Sequence, residues 1–190
     1  KNMKDIIRNE FNEHIKIANL LHHLTDSVAT SAQLCIDCLT NGGKILIFGN
    51  GGSAADAQHI AAELVGRYKV NRKGLSAIAL TTDTSSLTAI GNDFGYKHLF
   101  DRQVEALANE GDVVIGISTS GKSENVISAL KLASKLNCTT IGFSGHDGGE
   151  MNRICNINLI TPSYDTPRIQ EMHIILGHTI CHLIDQEFKD

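Results

Sequence analysis

Lys44-Ile45-Leu46-Ile47-Phe48 runs straight into Gly49-Asn50-Gly51-Gly52-Ser53, and a helical stretch, Ala54–Tyr68, follows. The pattern is strand, glycine-rich turn, helix. A second junction of the same kind lies downstream, where Val113–Ile117 is followed by Ser118-Thr119-Ser120-Gly121-Lys122-Ser123 and another helical stretch. Two turns of small polar residues at the carboxyl ends of two strands line one crevice. Such turns present backbone N–H groups and hydroxyls at helix N-termini, a chemistry that suits a phosphate or a sugar carrying one.

Outward from these junctions, strand-like runs alternate with helical ones. The strand candidates are Ile45–Phe48, Ser76–Leu80, Val113–Ile117, Thr139–Phe143 and Ile157–Ile160. Each is a short apolar run and not an alternating one, as expected of strands buried on both faces. Intervening helices, most clearly Ser123–Leu136, imply right-handed crossovers and a parallel sheet. Residues 3–40 carry Ile6, Ile7, Phe11, Ile15, Ala18, Leu21 and Leu24 at three- and four-residue steps, which predicts helix, with a break near Thr25–Ser27 and a C-cap turn at Asn41-Gly42-Gly43. Pro167–Phe188 opens with a proline suited to a first helical turn and is apolar round most of its circumference. Such a helix is buried, which in so small a domain predicts burial against another subunit. The expectation is one domain over residues 1–190: N-terminal helices to residue 40, then an α/β core over 41–190 that ends in the buried helix. Its architecture is three-layer α/β/α, with ligands at the carboxyl ends of the strands.

Composition narrows the function. The 190 residues include 17 basic and 21 acidic ones for a net charge of −4, with no basic block, so neutralising a nucleic-acid backbone is not expected. Trp is absent and aromatics are scarce, which also argues against base stacking. A chain of this length buries roughly 70% of its unfolded surface without staples. The five cysteines are odd in number and no leader is visible, which points to a reducing cytoplasm. Cys35 and Cys38 have CxxC spacing without a second pair, and read as small apolar residues on a buried helix face. No apolar run approaches the roughly 20 residues of a membrane span.

The first turn lacks the Lys-Ser/Thr ending of a phosphate loop and the GxGxxG pattern of a dinucleotide site. The second sets four hydroxyls round a helix start, more than one N-cap uses, so it reads as a phosphate cradle. His59 and Glu63 stand four residues apart and share a helix face, as a metal pair, an acid/base pair or a plain ion pair. Arg67 continues that face. The last helix carries Gln170, Glu171, His173, His178 and His182, polar groups that need partners on so apolar a surface. Spacing pairs His178 with Glu171 or His182, and leaves His173 and His182 as buried structural histidines. Asn92-Asp93 reads as a turn in a glycine-rich loop.

Taken together these motifs resemble the phosphoheptose isomerases, sugar isomerase (SIS) domain enzymes. The resemblance rests on Gly49–Ser53 with Asp56, His59, Glu63 and Gly66-Arg67-Tyr68, then Gly91-Asn92-Asp93, Gly116–Gly121, and Arg168-Ile169-Gln170-Glu171 with His178, in that order along nearly the whole chain. Ala54-Ala55 and Pro167 depart from residues found in some members. The resemblance implies a flavodoxin-like SIS fold with a five-stranded parallel sheet and a homotetramer with active sites at subunit interfaces. It implies reversible conversion of sedoheptulose 7-phosphate to D-glycero-D-manno-heptose 7-phosphate, the first step toward activated heptose for surface polysaccharide. Ser118, Thr119, Ser120 and Ser123 would hold the phosphate. Asn50, Gly51, Gly52, Asn92, Asp93 and Gln170 would contact the sugar, with Ser53 beside them, and Arg67 would reach a neighbouring subunit's site. One zinc per subunit would sit on His59, Glu63, Gln170 and His178.

Isomerisation needs a base at carbon one or two and an acid near the carbonyl oxygen; Glu63 is the candidate base and His178 the candidate acid. Both are also ligands in the zinc reading, so either the metal leaves a carboxylate oxygen free or it also polarises the carbonyl. The alternative is a non-catalytic SIS module, a sugar-phosphate sensor or a replication-initiator-binding protein. It would keep Ser118–Ser123 but has no need of His59, Glu63 and His178 together.

Overall fold

The computed structural model describes residues 2–189. Two helices open it, α1 (Met3–Leu20) and α2 (Thr25–Thr40). They are separated by a 3₁₀ turn at Leu21–Leu24, a few residues before the expected break. Thr25 fixes that boundary by donating its hydroxyl to the His22 carbonyl oxygen at 2.7 Å. Asn41 caps α2, and Gly42 takes φ +81° so that the Gly43 N–H returns to the Cys38 carbonyl. The chain then enters β1 (Ile45–Gly49).

The core alternates β1, α3 (Gly52–Val65), β2 (Ala77–Ala79), α4 (Thr84–Phe94), a 3₁₀ turn (Tyr96–His98) and α5 (Asp101–Leu107). It continues through β3 (Val113–Ile117), α6 (Glu124–Lys135), β4 (Thr139–Ser144), α7 (Met151–Ile154), β5 (Ile157–Ile160) and α8 (Thr166–Phe188). The five strands form one parallel sheet in the order β2-β1-β3-β4-β5, a flavodoxin-like topology that reverses between β1 and β3. Gly49 pairs with Ile117 at the carboxyl ends of these two strands. Both polar turns therefore start side by side at the switch point.

Alternate side chains of the strands feed two cores. Ile45, Ile47, Ile115 and Ile141 pack with α2, α3 and α8 on one face, while Leu46, Phe48 and Val114 pack with α5, α6 and α7 on the other. Burial on both faces holds for β1 and β3. It fails for β2, which is shorter than expected and exposes Ile78, because an edge strand has a neighbour on one side only. Cys35 and Cys38 are buried apolar helix residues as expected, and the five cysteines are free thiols. Burial pushes the thiols of Cys155 and Cys181 up to about 12. Among the described residues, no helix is long and apolar enough to cross a membrane.

Helix α8 runs beside α3 in the same direction: Gln170 meets Gly52, Gly177 meets Ile60, and Asp185 meets Lys69. Gly177 permits that closeness, since a Cβ there would fall 2.5 Å from the Ile60 side chain. Ile169, Met172, Leu176, Ile180 and Ile184 bury the inward face of α8, while Ile175 and Leu183 face outward. The His173 imidazole is buried within this helix, donating its Nε2–H to the Ser144 carbonyl at 2.8 Å. Burial lowers its pKa to about 4, so it is a neutral structural residue, as expected.

Candidate active site

The Ser118–Ser123 loop leaves β3 and starts α6. Ser123 is the N-cap residue of α6, yet its hydroxyl meets the Ser118 hydroxyl at 2.8 Å instead of capping the helix. Ser118 in turn accepts the Ser123 N–H, and Ser120 accepts the N–H of Lys122. Uncapped N–H groups at the head of a twelve-residue helix favour an anion there. Gly121 has φ +68°, and a Cβ on it would meet the Gly148 carbonyl oxygen at 2.1 Å. The loop is thus clamped on the β4–α7 turn. Thr119 and Ser120 are half-buried, and Lys122 is exposed.

The Gly49–Ser53 turn needs glycine at 51, where φ is +56° and ψ is −121°. Asn50 is fixed by a reciprocal amide pair with Asn125 of α6, both bonds 2.9 Å, and accepts the Tyr96 hydroxyl at 3.0 Å. This turn borders a cleft of about 340 Å³ walled by Thr81, Thr88, Tyr96 and Phe100. Gln170 lies over the head of α3, where a Cβ on Gly52 would sit 2.7 Å from its amide nitrogen. Ser53 is buried in the first turn of α3.

Two turns along, the parallel run of α3 and α8 brings the chemically active side chains together. His59 Nε2 and His178 Nε2 are 3.3 Å apart, and Glu63 Oε2 is 3.5 Å from His178 Nε2. The Tyr68 ring stacks on His178 with centroids 5.2 Å apart and planes at 26°. Among the described residues, His59, Glu63 and His178 are the group of acidic, histidine and cysteine side chains able to share a cation, their donor atoms within 4.8 Å of one another. Two donors on one tetrahedral zinc stand about 3.4 Å apart, given bonds of roughly 2.0–2.1 Å. The two separations from His178 are close to that edge length, and an N/N/O donor set suits zinc.

Several expectations about single residues change. His178 pairs with His59 and Glu63, not with Glu171 or His182. Glu171 instead makes a bidentate pair with Arg168 and meets His14 of α1 at 2.9 Å. Helix α3 begins two residues earlier than expected and ends at Val65, so Arg67 lies in the following loop, exposed, and does not continue the His59–Glu63 face. Asn92 and Asp93 stand on the last turn of α4, not in a loop. Within one chain Asp93 borders a cavity of about 420 Å³ on the side of α4 away from the Asn50 cleft. Gln170 is two turns before His178 on α8, at the end of α3 nearest Ser118–Ser123, where a Cβ on Gly145 would touch both Ile169 and the Thr119 carbonyl.

The structure also adds residues. Asn125 and Tyr96 hold Asn50, and neither stands out by spacing. Asp56 lies one turn before His59, and its buried Oδ2 has no hydrogen-bond partner among the described residues. Burial raises its pKa, opposed by the nearby His59.

The SIS domain family profile matches residues 11–145. The phosphoheptose isomerase of Aliarcobacter butzleri is 61% identical over 188 residues, spanning 98% of this chain and 100% of that protein. That of Campylobacter jejuni subsp. jejuni is 59% identical over 186 residues, with 98% and 100% covered. The solved structure of the Neisseria gonorrhoeae phosphoheptose isomerase superimposes with a TM-score of 0.92 at 45% identity, covering 97% of this chain and 100% of that one. The Francisella tularensis enzyme gives 0.94 at 37% identity, covering 98% and 100%. With switch-point turns, a helix-borne His/Glu/His cluster and full-length relatives all in agreement, this chain belongs to the phosphoheptose isomerase family of SIS-domain proteins.

Proposed function

We propose that this chain is an aldose–ketose isomerase that interconverts sedoheptulose 7-phosphate and D-glycero-D-manno-heptose 7-phosphate, supplying heptose for surface polysaccharide. The observation that carries the reading is the meeting of Glu63, His59 and His178 at 3.3 and 3.5 Å, in a chain 61% identical to a phosphoheptose isomerase. A sugar-phosphate sensor needs the hydroxyl loop but gains nothing from a converging carboxylate and two imidazoles.

In this reading the Ser118, Thr119, Ser120 and Ser123 hydroxyls and the first N–H groups of α6 bind the phosphate. Asn50, Gly51, Gly52 and Gln170 orient the sugar, with Ser53 supporting the turn. Asn92, Asp93 and Arg67, which are exposed in one chain, serve sites completed by a neighbouring subunit. Glu63 takes the proton from the carbon next to the carbonyl and returns it to the adjoining carbon, while His178 gives a proton to the carbonyl oxygen and recovers one from the neighbouring hydroxyl. A carboxylate has two oxygens, so Glu63 can face the histidines with one and the substrate with the other.

His59, Glu63 and His178 would hold one zinc per chain; Gln170, implied as a fourth ligand by resemblance, stands two turns before His178 on α8, about 12 Å along the helix, and serves the sugar instead. With zinc on its Nε2, His178 would have no proton to give from that nitrogen, and the metal would supply Lewis-acid stabilisation of negative charge on the sugar oxygens in its place. The apolar stripe of α1, with Ile6, Phe11 and Ile15 47%, 65% and 56% exposed, supports association between subunits, which the family resemblance makes a homotetramer. Free buried thiols fit a cytoplasmic setting. The test is to incubate the protein with sedoheptulose 7-phosphate, with and without zinc, and follow the aldose by NMR. Product that disappears on chelation and returns with zinc is expected. Tight binding without product would turn the assignment toward a sensor.

A further inference from the structure

Arg72 and Asp185 form an ion pair whose side chains are both 0% exposed, with Arg72 Nε 2.8 Å from Asp185 Oδ1. Neither has a part in the chemistry above. A buried pair of this kind is weak support for stability, because desolvating the two charges costs about as much as their attraction returns. What the pair touches is more informative. The remaining Arg72 donors reach the carbonyls at the end of α3: Glu63 at 2.8 Å, Leu64 at 3.0 Å and, at longer range, Gly66. They satisfy acceptors that a helix end otherwise leaves unpaired, and put a cation at the negative end of the helix. Asp185 Oδ2 accepts the N–H groups of Lys69 at 2.7 Å and Val70 at 3.1 Å. These follow directly on Tyr68, the residue stacked on His178.

We infer that the buried Arg72–Asp185 pair is a positioning device for the reaction site: Arg72 fixes the turn of α3 that carries Glu63, and Asp185 fixes the loop that lays Tyr68 on the His178 imidazole. The inference rests on the isomerase reading for its effect on rate, and on geometry alone for its effect on His178. Both partners of the ion pair hold backbone and not substrate, so the pair sets where the base and the acid stand relative to each other. Lysine cannot replace Arg72, because an ammonium lacks the planar fork that spans Asp185 and several carbonyls.

The experiment compares wild type with Arg72→Lys, Asp185→Asn, Tyr68→Leu and Tyr68→Phe in the intact protein. It reads the melting temperature, kcat and KM, and the His178 ring-proton resonance, assigned with His178→Gln in histidine-labelled protein. A stacked tyrosine shields that proton. Arg72→Lys and Asp185→Asn are expected to lower kcat by about 10–100-fold with KM within about twofold, and to move the resonance downfield. Tyr68→Leu lowers kcat likewise, and Tyr68→Phe restores it. Folded Arg72→Lys and Asp185→Asn with wild-type kcat and an unmoved resonance would overturn the inference. If the single charge variants unfold, Arg72→Met combined with Asp185→Leu, which fills the site with apolar volume, takes their place and must show the same loss. A wild-type chain without turnover counts against the isomerase reading, and the resonance then decides this inference by itself.

Discussion

Two glycines show how differently single positions constrain this molecule. A Cβ on Gly52 would press on the Gln170 amide, the far end of a flexible side chain; a Cβ on Gly121 would strike the backbone carbonyl of Gly148, with φ at +68° as well. Gly52→Ala is therefore expected to leave stability within about 1 kcal/mol of wild type, alanine being the better helix former, while displacing Gln170 and lowering kcat/KM about tenfold. Gly121→Ala should cost at least about 2 kcal/mol, read as a fall in the denaturation midpoint. Equal stability losses in the two would refute the contrast. Glu63→Gln keeps the size of the side chain and removes the base. Turnover should fall by roughly 10²–10⁴-fold with an unchanged circular dichroism spectrum, and a near-normal rate would exclude Glu63 as base.

Among the elements, those with one strong periodic or apolar signal were legible in the sequence. Val113–Ile117 and Ile157–Ile160 are strands with the expected bounds, because apolar runs between polar turns leave little choice. Helix α4 carries little sequence signal, because Thr84-Ser85-Ser86 and Gly91-Asn92-Asp93 are poor helix formers and each of its residues is at least partly exposed. Its one local signal is Asp83, whose carboxylate accepts the Ser86 N–H as an N-cap. Spacing placed His59 and Glu63 on one face, yet could not name His178 as their partner, since that depends on the side-by-side register of α3 and α8. Helix α8 also carries a pH response. The folded pKa of His173 lies near 4, below the ordinary 6.5, so its contribution to stability is complete above pH 6.5 and is lost as pH falls through 4. The loss is on the order of 3 kcal/mol. His173→Gln should flatten the decline in melting temperature between pH 6.5 and 4.5, and an unchanged slope would acquit His173.

At the scale of the whole molecule, α1 turns apolar side chains to the outside. Phe11 is 65% exposed and Ile15 56% exposed on α1, while Arg168 of α8 ties that helix down through Glu10 at 2.7 Å. That contact holds the helix with its apolar stripe outward. In the proposed tetramer Phe11→Asp should dissociate the subunits, seen as a drop in sedimentation coefficient, with activity lost in proportion if sites straddle subunits. A variant sedimenting like wild type would place the interface elsewhere. The parallel sheet and both switch-point turns were foreseeable from sequence, the flavodoxin-like order only through the family resemblance; the proposed subunit boundary shows only as apolar residues with nothing to cover them in one chain.

The pairing of α3 with α8 has a consequence for synthesis. His59 is translated 119 residues before His178. A ribosome-bound chain thus holds a carboxylate and one imidazole for most of its elongation, a poor trap for stray cations. The full trio exists only after the final helix has docked, so in the proposed zinc enzyme metal acquisition would wait until folding is nearly over.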